Sequence, residues 1–217
     1  PGGVCSGDAQ NSGCGGMTDA CIMDPLIKDA FLEIANIGIG KSAASMSQLA
    51  GKHVAITIPS VDFVRTAERD SFQLMTGSSS TVIVEQRFHG EIAGTAILCL
   101  ATTGALKLAS MLLGEEVRQD AFGEMEQGAL LELGNIMIGG LVGNMSNVLH
   151  LHIGYDIPEM QLNGTGKVLT LMQSVGACTV VVNSNLAIES TDVSSFLLLV
   201  FGEPEFESLL NKIRSVM

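Results

Sequence analysis

The residues with the clearest chemical potential are a glutamate and an asparagine that occur twice at one spacing, as Glu33 with Asn36 and as Glu132 with Asn135. A carboxamide accepts hydrogen bonds through its oxygen and donates them through its NH2 group, so it can hold a water molecule in place. A carboxylate can pair with a cationic side chain. These four residues are therefore the first candidates for a functional site.

Each pair belongs to a longer polar stripe if its segment is helical, because residues at i, i+4, i+7 and i+11 share one helix face. The first stripe consists of Asp29, Glu33, Asn36 and Gly40, and the second stripe of Gly128, Glu132, Asn135 and Gly139. Glycine inside a helix costs about 1 kcal/mol relative to alanine. For a single helix, solvated polar residues and internally packed glycines would be the simpler interpretation. Their recurrence in two helices favours close approach by another molecule.

The first stripe overlaps a sequence that resembles a nucleotide-binding loop, because Gly40-Lys41-Ser42 has the form of the end of a P-loop. Ala35 stands where that pattern needs its first glycine, and Gly140 replaces Lys41 in the second copy. A P-loop also follows a strand. This segment instead follows helical spacing, so we interpret it as part of a helix.

The start and end of that helix are marked by residues with strong positional preferences. Asp24 is suited to the N-cap and Pro25 to the first helical position, while Gly51 is suited to the C-terminal end. The apolar face predicted between them consists of Ile27, Ala30, Phe31, Ile34 and Ile37.

An offset of 99 residues aligns segment 31–61 with segment 130–160. Pro59 and Pro158 follow the two asparagines at the same distance, and we expect them to shape the connection from helix to strand rather than to do chemistry. Beyond them, strand-like runs at 80–86 and 178–184 correspond, and amphipathic helices are predicted at 103–114 and 203–217.

The predicted fold is therefore α+β, with an internal duplication into two units of about 99 residues related by pseudo-two-fold symmetry. Each unit is a long helix, about three strands and a short helix. The run "FLLLVF" at 196–201 is expected to be a strand buried on both faces. Residues 1–16 are expected to be a flexible leader, and residues 17–217 one domain built from repeats 24–118 and 119–217.

Composition limits the classes of function. The net charge is −12 with 11 basic residues, which argues against nucleic-acid binding. No apolar run is long enough for a membrane span, and five cysteines without C-x-x-C spacing suit a cytoplasmic protein. We expect no metal site, although His150 and His152 alternate near Asp156.

The stripe residues resemble the signature of the CheC/CheX/FliY family of phosphatases, which act on the aspartyl phosphate of the chemotaxis response regulator CheY. The matching positions are Asp29-x3-Glu33-x2-Asn36-x22-Pro59 and Glu132-x2-Asn135-x22-Pro158. The resemblance covers essentially residues 24–217, and the two-copy layout looks most like CheC. Gly128 departs from the signature, which asks for Asp or Ser at that position.

The resemblance implies a role for each residue. Asn36 and Asn135 would orient the attacking water, and Glu33 and Glu132 would dock on a lysine of the regulator. Asp29 would either support Glu33 or contact the regulator itself. The protein would need no cofactor of its own, because the Mg²⁺ would belong to the phosphorylated regulator.

Two other functions stay open. The first is a binding module without catalysis, as in the middle domain of the flagellar switch protein FliM, which resembles this fold and lacks the Glu–Asn pairs. The second is binding of the receptor deamidase CheD, a partner of many CheC proteins.

Overall fold

The computed structural model describes residues 24–65, 80–114, 122–174, 178–188 and 191–217. These residues form five helices, α1 (Pro25–Ala50), α2 (Thr102–Leu113), α3 (Glu124–Val148), α4 (Thr165–Ser174) and α5 (Glu203–Val216). They also form seven strands, β1 (Val54–Arg65), β2 (Thr81–Gly90), β3 (Gly94–Ala101), β4 (Ile153–Tyr155), β5 (Glu159–Leu162), β6 (Cys178–Ile188) and β7 (Thr191–Phe201). The α+β prediction is confirmed. The predicted leader at 1–16 lies outside the described residues.

Helix α1 begins and ends where its sequence predicts. The Asp24 carboxylate accepts a hydrogen bond from the backbone N–H of Leu26 at 3.0 Å, which satisfies one of the free donors of the first turn. Pro25 is the first helical residue, and Gly51 ends the helix with a φ of 63°. Residues 35–43 therefore lie inside a helix and form no phosphate-binding loop.

The strands form one antiparallel sheet in the order β1-β6-β7-β3-β2-β4, with β5 also paired to β2. Strands β3 and β7 meet at its centre, where Leu98 lies opposite Leu197. The strands of the two predicted repeats are thus interleaved in one sheet.

Strand registers on the two sides of the sheet correspond. Val54 of β1 pairs with Ile188 of β6, and the equivalent positions of the other half, Ile153 and Gly90, also pair. In the same way, the pair Ser60–Asn183 corresponds to the pair Glu159–Glu85. These registers agree with the two alignments read from the sequence, 31–61 with 130–160 and 80–86 with 178–184. The duplication and its limits stay a prediction.

The second half departs from the predicted three strands because its first strand is divided into β4 and β5. Pro158 lies between these two strands, whereas Pro59 lies within β1 at a register shift between Thr57 and Ser60. A proline has no N–H to donate to a strand ladder. We expected the two prolines to shape the helix-to-strand connections. That expectation was wrong, since these connections are at residues 51–53 and 149–152 and both prolines lie farther along the chain. Helix α4 was also not predicted.

The sheet is covered on both faces. Helices α1, α2, α3 and α5 share the larger hydrophobic core with one face, and α4 packs in a smaller core on the other. Strand β7 contributes Leu197 and Leu199 to the larger core and Leu198 to the smaller one. The predicted burial of the 196–201 run on both faces is confirmed. No helix of the described residues is long and apolar enough to cross a membrane.

Candidate functional site

The first stripe lies on the solvent side of α1, opposite the helix face that packs on the sheet. All four of its residues are exposed, whereas Ile27, Phe31 and Ile34 are buried. Within the described part of the chain, neither Asp29 nor Glu33 has an ion-pair partner, and the carboxamide of Asn36 makes no hydrogen bond. The stripe therefore presents polar groups that are available to another molecule.

Ile37 does not belong to the buried face on which its spacing placed it. Its side chain is 42% exposed, next to Asn36. The reason is that α1 packs through Ile34, Gly38 and Ser42 on its inner side, which turns Ile37 outward. The first stripe is consequently flanked by one apolar side chain that a docked protein can cover.

The second stripe lies on α3 in the same way. Gly128, Glu132 and Asn135 are exposed, and Gly139 is half-buried. Glu132 has no ion-pair partner among the described residues. Each helix thus brings its own Glu–Asn pair together on one face.

Gly40 and Gly139 have no internal packing role in the described structure. A Cβ added to either residue would meet no described atom within 4 Å, and the same holds for Gly128. Gly38 and Gly140 differ, because an added Cβ would collide with the facing helix. Internal packing is therefore not the reason for glycine at the ends of the stripes.

The side chains of Asn36 and Asn135 differ in their hydrogen bonding. The Gln86 amide, on the neighbouring strand β2, donates to Asn135 Oδ1 at 3.5 Å and to the backbone oxygen of Asp156 at 3.0 Å. Its counterpart in the other half, Ser184, is hydrogen-bonded to Ser195 instead. Sequence reasoning missed Gln86, because no local spacing connects residues 86 and 135.

The turn beside Asn135 also carries an exposed apolar residue. Ile157 is 87% exposed, whereas the equivalent Ile58 is 9% exposed in β1. Asp156 anchors this turn, since its N–H donates to the Arg87 carbonyl at 3.0 Å and its own carbonyl accepts from Gln86. The surroundings of the second stripe therefore differ from those of the first.

The histidines considered as metal ligands are placed elsewhere. His152 Nδ1 lies 3.0 Å from Glu91 Oε1, and this hydrogen bond lowers the pKa of the Glu91 carboxyl. It is His89, not His150 or His152, that lies beside Asp156, at 3.5 Å. Among the residues that the structure describes, no group of three or more His, Cys, Asp or Glu side chains could hold a metal ion.

The described structure has a cavity away from both stripes. A cavity of about 350 Å³ is formed instead by residues of β2, β3, α2 and β7, including Thr81, Cys99, Lys107 and Asp192, and contains no stripe residue. The first stripe offers one amide and two carboxylates, and the second stripe one amide and one carboxylate, on an exposed helical surface. A reaction there would need its remaining groups from the molecule that binds.

Family patterns match both stripes. The pattern of the family described as "Chemotaxis phosphatase CheX" matches residues 82–193, which is more than half of the chain and includes Glu132 and Asn135. The pattern described as "CheC-like family" matches residues 26–61, which include Glu33 and Asn36.

Curated relatives agree with these patterns. The CheY-P phosphatase CheC of Bacillus subtilis is 25% identical over 195 residues, which are 83% of this chain and 90% of that protein. The flagellar motor switch phosphatase FliY of the same organism is 29% identical over 138 residues, 62% of this chain. The chain spans only 35% of the length of that FliY.

Solved structures share the fold. Thermotoga maritima FliY has a TM-score of 0.74 at 22% identity, with coverage of 90% of this chain and 100% of that one. The FliM middle domain of H. pylori has a TM-score of 0.61 at 16% identity, with coverage of 88% and 99%. At these identities the likeness concerns the fold alone. Because the CheX family pattern matches more than half of its length, the chain belongs to the CheC/CheX family of chemotaxis phosphatases.

Proposed function

We propose that this protein is a phosphatase of a phosphorylated CheY-type response regulator and that the two Glu–Asn stripes are its active sites. The observation that carries the proposal is the exposure of both pairs on helical faces, where the described residues give the two glutamates no ion-pair partner. The names of the relatives support the substrate, since CheC of B. subtilis is named a CheY-P phosphatase.

The reaction needs little from the phosphatase beyond positioning. Water attacks the phosphorus of the regulator's aspartyl phosphate, the bond to the aspartate oxygen breaks to leave a carboxylate, and both protons of the water leave with inorganic phosphate. The transition state is loose, so alignment of the water and stabilisation of charge dominate catalysis. The carboxamide oxygen of Asn36 or Asn135 accepts a hydrogen bond from the water and holds it in line. Orientation of this kind can contribute part of about 7–11 kcal/mol.

The glutamates serve docking. Glu33 and Glu132 would each pair with a lysine of the regulator, a contact worth about 0–1 kcal/mol while exposed and more once the interface excludes water. Asp29 adds a second carboxylate beside Glu33. Gly40 and Gly139 let the regulator's backbone approach the helix. Any Mg²⁺ would be bound by the regulator.

A binding module without catalysis is the second candidate, because the FliM middle domain shares the fold. CheD binding stays a prediction to which we assign no surface.

The experiment that separates catalysis from binding follows the decay of a phosphorylated CheY-type regulator with and without the protein. Faster decay with wild type, and not with the Asn36→Ala/Asn135→Ala double variant, supports the phosphatase. Tight binding of the phosphorylated regulator with no change in its decay rate would support the binding module instead.

A further inference from the structure

Helices α1 and α3 cross at unusually small residues. A Cβ on Gly38 would collide with the backbone carbonyl of Gly140, and a Cβ on Gly140 would collide with the Ser42 hydroxyl. The two backbones therefore approach more closely than larger side chains would permit. At this distance, side chains of one helix can reach backbone carbonyl groups of the other.

Asn144 of α3 reaches α1 in this way. Its side chain is 4% exposed, and its Nδ2 donates to the Ile34 backbone oxygen at 2.9 Å. Its Oδ1 accepts from Lys41 Nζ at 3.0 Å. Because an amide that is buried and hydrogen-bonded through both its nitrogen and its oxygen has little rotational freedom, Asn144 fixes the position of α1 at Ile34.

Ser42 makes the reciprocal contact from α1. Its side chain is 2% exposed, and its hydroxyl donates to the Ile136 backbone oxygen of α3 at 2.9 Å. The Gly38 carbonyl of its own helix is farther away, at 3.3 Å. Ser42 therefore fixes the position of α3 at Ile136, as Asn144 fixes the position of α1 at Ile34.

Both contacts fall on the helical turns that carry the Glu–Asn pairs. Ile34 lies between Glu33 and Asn36, and Ile136 directly follows Asn135. The residues that make the contacts are not repeated in the two copies, because Ser42 aligns with Leu141 and Asn144 with Ser45. The Lys41 and Ser42 that resembled a P-loop thus belong to the crossing of the two helices.

We propose that Asn144 is a positioning residue for the first stripe and Ser42 for the second, so that each helix holds the active turn of the other. This inference rests on the proposed function. In-line attack tolerates little displacement of the group that holds the water. Loss of the Asn144 contact lets the Glu33–Asn36 turn of α1 shift or rotate and lowers kcat at the first stripe. Loss of the Ser42 contact has the same effect on the Glu132–Asn135 turn of α3 and on kcat at the second stripe.

The test uses two backgrounds in which one stripe works alone. Asn135→Ala leaves the first stripe, and Asn36→Ala leaves the second. We expect Asn144→Leu to lower kcat of the first stripe about fivefold or more, with KM and the second stripe changed less than about twofold. We expect Ser42→Ala to lower kcat of the second stripe about threefold or more and to spare the first.

Two further variants keep the test decisive. Lys41→Met removes the exposed donor to Asn144 Oδ1. It should lower kcat of the first stripe only, and by less than Asn144→Leu does. This variant replaces Asn144→Leu in the test if Asn144→Leu does not fold. Leu141→Val is the matched control, because Leu141 follows Gly140 on α3 and is buried in the core, so the change removes apolar packing and no interhelix hydrogen bond. It should lower the melting temperature without favouring either stripe.

Equal losses at both stripes, or losses that follow the melting temperature across all four variants, would overturn the inference and leave the proposed function standing. If wild type shows no phosphatase activity at all, the proposed function fails and this inference fails with it.

Discussion

The Gln86 side-chain amide lies 3.5 Å from Asn135 Oδ1, and Asn36 has no corresponding contact in the described structure. A carboxamide oxygen can accept two hydrogen bonds. Gln86 therefore occupies one acceptor position of Asn135 and leaves the other for a water molecule. The two stripes carry the same pair of residues but differ in how far the asparagine is held in place before the regulator binds.

The first prediction concerns this contact. With the first stripe disabled by Asn36→Ala, Gln86→Leu should lower kcat about two- to fivefold, because a long hydrogen bond of this kind is worth about 0.5–1.5 kcal/mol at most. The same change should not affect kcat in the Asn135→Ala background. Regulator dephosphorylation in the two backgrounds measures both values. A similar loss in both would show that Gln86 acts on stability alone.

The second prediction uses the open space at Gly40. Gly40→Leu should fold at least as well as wild type, because a Cβ at this position meets no described atom within 4 Å and glycine is a poor helix former. Binding of the phosphorylated regulator to the first stripe should weaken about tenfold or more, since the leucine would occupy the partner's space. The measurement is the dissociation constant in the Asn135→Ala background.

The matched control for that experiment is Ser45→Leu, which puts the same side chain on an exposed position of α1 away from the stripe. It should leave binding within about twofold of wild type. Equal weakening by both leucines would mean that the regulator does not dock along the first stripe.

The third prediction concerns Gly128, the departure from the family signature. Gly128→Asp places a carboxylate four residues before Glu132, as Asp29 precedes Glu33. We expect a KM about two- to fivefold lower at the second stripe, in keeping with a pair worth about 0–1 kcal/mol. Gly128→Asn adds a similar side chain without the charge and should have no such effect. High salt should abolish the decrease in KM caused by Gly128→Asp. A decrease in KM that persists in high salt would contradict a role for charge.

The fourth prediction concerns pH and Cys99. Burial raises the pKa of this thiol from its usual value near 9 to about 12. Above pH 9 the thiol loses its proton in the unfolded chain but not in the folded one, so the free energy of unfolding falls as pH rises. Between pH 8.5 and 10, we expect the free energy of unfolding to fall by about 1 kcal/mol more in wild type than in Cys99→Ala. Urea unfolding at both pH values measures this, and equal losses would contradict it.

Local sequence signals predicted much of the fold and the exposure of the candidate site residues. Helix α1 was predicted from Asp24 to Gly51 because caps and helical spacing are properties of neighbouring residues. The exposed Glu–Asn pairs were found in the same way, from spacing within one helix and its recurrence.

Contacts between distant segments could not be predicted. The partners of Asn144 and Gln86 depend on the crossing of α1 with α3 and on the placement of α3 beside β2, and no spacing within either segment encodes them. Ile37 was assigned to the buried face because helical period alone does not show where a neighbouring helix packs. The division of the strand at Pro158 also depends on pairing with β2, since the equivalent Pro59 interrupts β1 only by a register shift.

The central claim is that the two asparagines catalyse the reaction, and single-turnover dephosphorylation of a saturating phosphorylated regulator tests it most directly. Wild type, Asn36→Ala, Asn135→Ala and the double variant would be compared, with binding measured in parallel. We predict that the double variant still binds the regulator but loses at least about tenfold in rate, or about 1.4 kcal/mol of transition-state stabilisation. A double variant that binds and dephosphorylates like wild type would contradict the claim.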